Sequence, residues 1–268
     1  MAAPASCAVL LALLCCLLGK TSADEACGNS LLDTQQFPWH VLVYKNTTGE
    51  RHYICGGSLI KPRWAVFAAH CFKGESSPEL LGASLGKTVR SWDRVEDGEQ
   101  HRLVNRIFTN VDKDIKGRQA YDIALVEFDQ DADITSSVWP LCIDLKGELT
   151  PLQDGDEGIM FGYGYEFDSF DDDPPKDLKR NTIHVVDREK CEKFINGGSR
   201  FNGADKFCVD AQRGSVIGFG DSAAGFARQN DGRWYLRGVP SVGVATQSLT
   251  FFTNVTAHAS WMSKIVDQ

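Results

Sequence analysis

The sequence predicts an all-β protein built as a sandwich or as barrels. Three observations lead there. Short runs rich in Val, Ile, Phe and Tyr recur along the chain, turn residues separate them, and one helical apolar face lies at the C-terminal end. Such spacing suits antiparallel strands and argues against the alternating strand and helix units of a parallel sheet.

The expected strands are 39–44, 53–60, 64–68, 103–108, 123–128, 158–162, 182–186, 234–239 and 251–255. Between them lie Gly49, Gly74, Asp97-Gly98, Asp154-Gly155, Gly197-Gly198 and Asp231-Gly232, residue types that ease the chain through a reversal. From Val255 onward, Ala259, Trp261, Met262, Ile265 and Val266 share one helical face, and Asn254 suits the N-cap. The acidic run 166–177, EFDSFDDDPPKD, reads as a solvated loop. It lacks the spacing of an EF-hand, and Pro174-Pro175 would break the helix that should follow one.

With 268 residues, 43% of them apolar or aromatic, the chain can build a sizeable core. Its net charge of −8 argues against nucleic acid or an anionic membrane surface as the main partner. Residues 8–18 are apolar and uncharged but too short to span a bilayer, and the small residues Thr21, Ser22 and Ala23 follow. Residues 1–23 are therefore expected to be a signal peptide and 24–268 a secreted domain, with no other membrane span.

Nine cysteines are present, and six remain after residue 23: Cys27, Cys55, Cys71, Cys142, Cys191 and Cys208. An even number in an exported chain favours three disulfides. No CxxC pair or His/Cys cluster appears, so neither a metal nor a cofactor is expected. Two sequons, at Asn46 and Asn254, could carry glycans on a eukaryotic secretory route.

Nucleophilic catalysis needs a hydroxyl or thiol, a base to take its proton, and a group to orient the base. Three residues stand in unusual settings. His70 ends an apolar run beside Cys71. Asp122 is a lone carboxylate at the head of the hydrophobic run from Ile123, where burial without a partner would be costly. Ser222 lies in Gly218-Phe219-Gly220-Asp221-Ser222-Ala223-Ala224-Gly225, a glycine-rich stretch able to turn sharply and expose backbone N–H groups. Taken singly, each is an ordinary core, capping or loop residue.

Taken together, AAHC, YDIALVEF and GDSAAG resemble the TAAHC, DIAL and GDSGGP motifs of the chymotrypsin-like (trypsin-like) serine protease family, in the same order. Segments FPWHV, CGGSLI, VWPLCI, GYG and SVG resemble further family motifs, so the likeness covers nearly all of 27–268. It implies two packed six-stranded antiparallel β-barrels, about 37–150 and about 151–254, with a C-terminal helix over about 255–268. It implies that Cys55 pairs with Cys71, Cys191 with Cys208 and Cys27 with Cys142. It implies His70 as general base, Asp122 as its orienting group and Ser222 as nucleophile, with the N–H groups of Gly220 and Ser222 as the oxyanion hole. Ser241 would help hold Asp122, and Asp221 would support the hole. Val216, Ile217, Ser241 and Gly243 would line the specificity pocket. The α/β-hydrolase alternative places its serine before the acid and histidine, the reverse of what is seen here.

The pattern also departs from the family. The segment 27–38, CGNSLLDTQQFP, contains no basic residue where the family carries an activation cleavage site, so no N-terminal partner for Asp221 is evident in the sequence. A cysteine pair flanking the pocket is missing, with Gly218 at its first position. Ala223-Ala224 replaces Gly-Gly, and Val216 stands where an Asp would select Arg or Lys. Two readings follow: a secreted serine endopeptidase acting on protein or peptide substrates, or a non-catalytic homologue that docks proteases, inhibitors or microbial surfaces. Segments 37–40, 185–189 and 235–238 resemble invertebrate haemolymph proteases, including scolexin-like proteins, which would imply an immune or clotting role with cascade proteases and serine protease inhibitors as partners.

Overall fold

The computed structural model describes residues 27–29, 38–74, 77–110, 121–163, 177–194, 203–210, 225–243 and 249–267. Expectations placed on residues 1–23, on the acidic run up to 176, and on Val216, Ile217, Gly220, Asp221 and Ser222 lie outside them.

The strands are β1 (His40–Thr47), β2 (Glu50–Lys61), β3 (Trp64–Phe67), β4 (Leu81–Leu85), β5 (Gln100–Thr109) and β6 (Ala124–Phe128), then β7 (Glu157–Gly162), β8 (Lys179–Val186), β9 (Lys206–Asp210), β10 (Phe226–Asn230), β11 (Arg233–Gly243) and β12 (Leu249–Asn254). They close into two antiparallel six-stranded barrels, in the orders β1-β2-β3-β6-β5-β4 and β10-β11-β12-β9-β8-β7. Among the described strands, closure leaves no edge open to another chain. The expected turns at Gly49, Gly74, Gly98, Gly155 and Gly232 all have positive φ.

Three strands went unread in the sequence. β4 (LGASL) is built largely of small residues, although all five are buried. β9 (KFCVD) has charged residues at both ends around a short apolar centre, and β10 (FARQN) has only two apolar residues before it turns polar. A short helix, Arg188–Phe194, was also unread. Its start is marked by Asp187, whose carboxylate accepts the Glu189 N–H at 2.8 Å.

The largest apolar cluster fills the first barrel and reaches across to the second, whose own interior holds a separate cluster of Met160, Ile183, Val185, Val209, Phe226 and Phe252. Trp39 of the β1 entry is fully buried, stacks on Phe161 of β7 at 5.4 Å and meets Trp234 of β11 at 6.0 Å. Each such side chain contributes about 1.5–3 kcal/mol by leaving water. The C-terminal segment begins as a 3₁₀ turn, Val255–His258, capped by Asn254, and continues as the helix Ala259–Val266. Met262 and Val266 pack into the largest cluster, and Lys61 at the end of β2 bonds Asp267 at 2.8 Å.

Three disulfides join Cys27 to Cys142, Cys55 to Cys71 and Cys191 to Cys208. The first ties the N-terminal stretch to Cys142, whose main chain bonds Trp234 and Leu236 of β11. Gly28 there has φ +59 and bonds Pro140 and Trp234 through its main chain. A Cβ would lie 2.3 Å from the Trp234 oxygen, so only glycine fits.

Candidate active site

Strand pairing explains why His70 and Asp122 meet although they lie 52 residues apart. β3 and β6 are antiparallel neighbours, with Phe67 opposite Ala124. The end of β3 and the start of β6 therefore share one rim of the first barrel. His70 lies in the 3₁₀ turn Ala69–Phe72 just beyond β3, and Asp122 lies two residues before β6. Cys71, bonded to Cys55 of β2, pins the turn. The ligand atoms of Cys55, His70 and Cys71 lie within 4.8 Å of one another, but the two sulfurs are spent on each other and offer no thiolate to a metal.

Asp122 grips His70 twice. Its Oδ1 accepts the His70 backbone N–H at 2.9 Å, and its Oδ2 faces Nδ1 at 2.8 Å. An ionised carboxylate only accepts, so Nδ1 carries the proton and Nε2 is the basic nitrogen. Burial of Asp122 opposes ionisation. The hydrogen bond and positive character of His70, with the Ser241 hydroxyl, outweigh burial and hold the carboxyl below the usual range. The Asp122 side chain is 4% exposed and that of His70 is 33% exposed, so the imidazole is the part that can reach a substrate.

Ser241 comes from the second barrel. The β11–β12 register slips between Pro240 and Val242, which leaves Ser241 as the extra residue of a bulge. A bulge re-aims its side chain. Here the Oγ donates to Asp122 Oδ2 at 2.7 Å. Gly243, at the end of the same strand, pairs with Thr250 of β12.

A second ring of contacts lies behind Asp122, and sequence reasoning missed it. Tyr121 has φ +61, an unusual conformation for a bulky residue. Its N–H donates to Asp205 Oδ2 at 3.0 Å, and its ring meets His258 edge-on at 5.5 Å. Asp205 also takes His258 Nε2 at 3.1 Å and Lys206 Nζ at 3.2 Å. Burial opposes its charge. The His258 bond, the Lys206 ammonium and the Tyr121 N–H prevail, holding the carboxyl at about 2. Lys206 Nζ bonds Thr253 Oγ1 at 2.8 Å, and Thr253 Oγ1 donates to the Asp122 carbonyl at 3.0 Å. The one local signal was a charged pair, Asp205-Lys206, abutting an apolar strand.

Of the residues expected at the site, His70, Asp122 and Ser241 are brought together. Ser222, Gly220, Asp221, Val216 and Ile217 are outside the described residues. Gly225, three positions after Ser222, is described, and its N–H donates to Ser58 Oγ of β2 at 2.9 Å. The two sequon asparagines lie at strand ends, next to turns: Asn46 Oδ1 accepts the Gly49 N–H and Asn254 Oδ1 the Thr256 N–H, each at 3.1 Å.

Comparison with known proteins matches residues 27–262 to the family described as Trypsin. Bovine (Bos taurus) coagulation factor XI is 25% identical over 240 residues, covering 85% of this chain and 35% of that protein. A CLIP domain-containing serine protease B9 of Anopheles gambiae is 29% identical over 252 residues, covering 88% of this chain and 61% of that protein. The chain thus spans about one third and three fifths of the lengths of these two relatives.

Proposed function

The chain belongs to the trypsin family of serine proteases, and from that premise we propose that it is a secreted serine endopeptidase working through an acyl-enzyme. The observation that carries this reading is the double grip of Asp122 on His70, completed by Ser241 from the other barrel. A module freed from catalysis has no need for a buried, ionised carboxylate aimed at an imidazole.

In this reading His70 Nε2 takes the proton of the Ser222 hydroxyl as its oxygen attacks the substrate carbonyl. The imidazolium so formed is stabilised by the Asp122 carboxylate through Nδ1–H, and its proton then passes to the leaving amine. Water repeats the cycle on the ester and releases the acid. The N–H groups of Gly220 and Ser222 would hold the oxyanion, with Asp221 supporting that loop. Val216 and Ile217, with no acid at the pocket base, favour an apolar residue at the cleaved position. The disulfides support an extracellular setting, likeness to a coagulation factor supports a role in clotting, and the resemblance of segments 37–40, 185–189 and 235–238 to invertebrate haemolymph proteases supports an immune one.

Labelling with a fluorophosphonate tests the proposal. Folded protein should form one adduct, on Ser222, and the Ser222→Ala variant none. Folded protein that takes no label would instead favour a binding module that keeps the fold without the chemistry.

A further inference from the structure

We propose that Lys206 is a positioning residue of the active site: through the Thr253 hydroxyl its buried ammonium holds the main chain of Asp122, while the adjoining Asp205 holds that of Tyr121, so that the second barrel aims the carboxylate at His70. The inference deepens the peptidase reading and rests on it.

The geometry is continuous. Lys206 sits at the start of β9 with its side chain 2% exposed, and Thr253 on β12 is fully buried. An ammonium has only donors, so its bond to Thr253 fixes that hydroxyl as acceptor on one side. The hydroxyl proton then points at the Asp122 carbonyl, 3.0 Å away. On the other side, Asp205 receives the Tyr121 N–H and so retains the left-handed backbone that turns the chain into Asp122. Asp122 is thus held at its carboxylate by His70 and Ser241 and at its backbone by the β9 and β12 strands.

The charges are also matched. Asp205 places a carboxylate close behind Asp122, where an uncompensated negative charge would act on both Asp122 and His70. Lys206 offsets it. Burial pulls the lysine below its ordinary range, while the charges of Asp205 and Asp122 pull it back up. Among the described residues, the other groups facing the cluster are His258, which bonds Asp205, and Asn110, which bonds His258 Nδ1 at 3.0 Å.

Removing the ammonium leaves one extra negative charge behind the pair and a Thr253 hydroxyl free to rotate away. In Lys206→Met, kcat should fall roughly tenfold with KM within about twofold. The acid limb of kcat/KM should move up by about half a unit, because the added negative field favours the imidazolium. The double variant Lys206→Met/Asp205→Asn restores charge balance and should return the limb towards wild type. Thr253→Val, isosteric but lacking the hydroxyl, should lower kcat without moving the limb comparably, and Thr253→Ser should restore it. The same set made in Ser222→Ala, read by the low-field proton resonance between His70 and Asp122, tests the clamp without turnover. That resonance should weaken or shift in Lys206→Met and Thr253→Val.

If the melting temperature drops while limb and resonance stay put, Lys206 is structural only and the proposal fails. If wild type takes no fluorophosphonate, the peptidase reading falls, and the resonance still decides whether Lys206 positions Asp122. Should Lys206→Met not fold, the Thr253 pair decides by the same readouts.

Discussion

The Ser58 hydroxyl accepts the backbone N–H of Gly225 at 2.9 Å, across 167 residues of sequence and across the two barrels. Ser58 is fully buried in β2, and Gly225 leads into β10. A Cβ on Gly225 would lie 2.3 Å from the Gly238 oxygen and 2.4 Å from a Leu236 methyl, so the backbone approaches its neighbours as only glycine can. The segment that leaves the proposed nucleophile is thereby tied to the first barrel, which also carries His70 and Asp122.

Ser58→Ala should destabilise the protein by about 1–3 kcal/mol, because it strands a buried donor. Urea unfolding measures this. If the bond also sets the reach of Ser222, the rate of fluorophosphonate labelling falls with it. Unchanged labelling would confine Ser58 to a stabilising role.

Ser241→Ala removes one donor to a buried carboxylate. A hydrogen bond to a charged group is worth about 1.5–3 kcal/mol, so kcat/KM on an apolar peptide substrate should fall about 10- to 100-fold. Asp122→Asn should cost more, about 10⁴-fold in kcat, because the amide can leave the imidazole in the wrong tautomer. Steady-state kinetics on both variants checks the order; equal losses would contradict it.

His40 is buried in β1, and neither ring nitrogen has a hydrogen-bond partner among the described residues. Burial lowers its pKa to about 3. The unfolded chain binds a proton at His40 below about pH 6.5 and the folded chain does not. Stability should therefore be lost as pH falls from 6.5, by about 2 kcal/mol at pH 5. Denaturant midpoints measured across that window should slope less in His40→Gln. An identical slope would remove His40 as the cause.

Asp205 behaves as the opposite case. Its folded pKa of about 2 lies below the unfolded carboxylate, so its contribution is present above about pH 4 and lost as pH falls towards 2. Asp205→Asn should lower stability at neutral pH by about 2 kcal/mol and flatten acid unfolding between pH 4 and 2, followed by circular dichroism. A variant whose acid transition matches wild type would contradict the assignment.

Much of this protein was legible one residue at a time. The nine expected strands correspond to observed ones within a few residues at each end, because alternation or a full apolar run survives in their sequences. β4, β9 and β10 were missed because small, charged or polar residues blur that pattern in a strand of five. The motifs around His70 and Asp122 could be named because, together and in order with that around Ser222, they resemble those of a known family; taken singly, each residue is ordinary.

Sequence by itself determined the all-β class, the helical C-terminal face and the choice of His70, Asp122 and Ser241 as members of one site. It could not show that Phe67 lies opposite Ala124, that a bulge turns Ser241 inward, or that Asp205, Lys206, Thr253 and His258 stand behind Asp122. Those facts depend on register, barrel closure and the docking of one barrel on the other. A hydrogen bond acts over about 3 Å, and only closure in three dimensions brings groups dozens of residues apart to that distance.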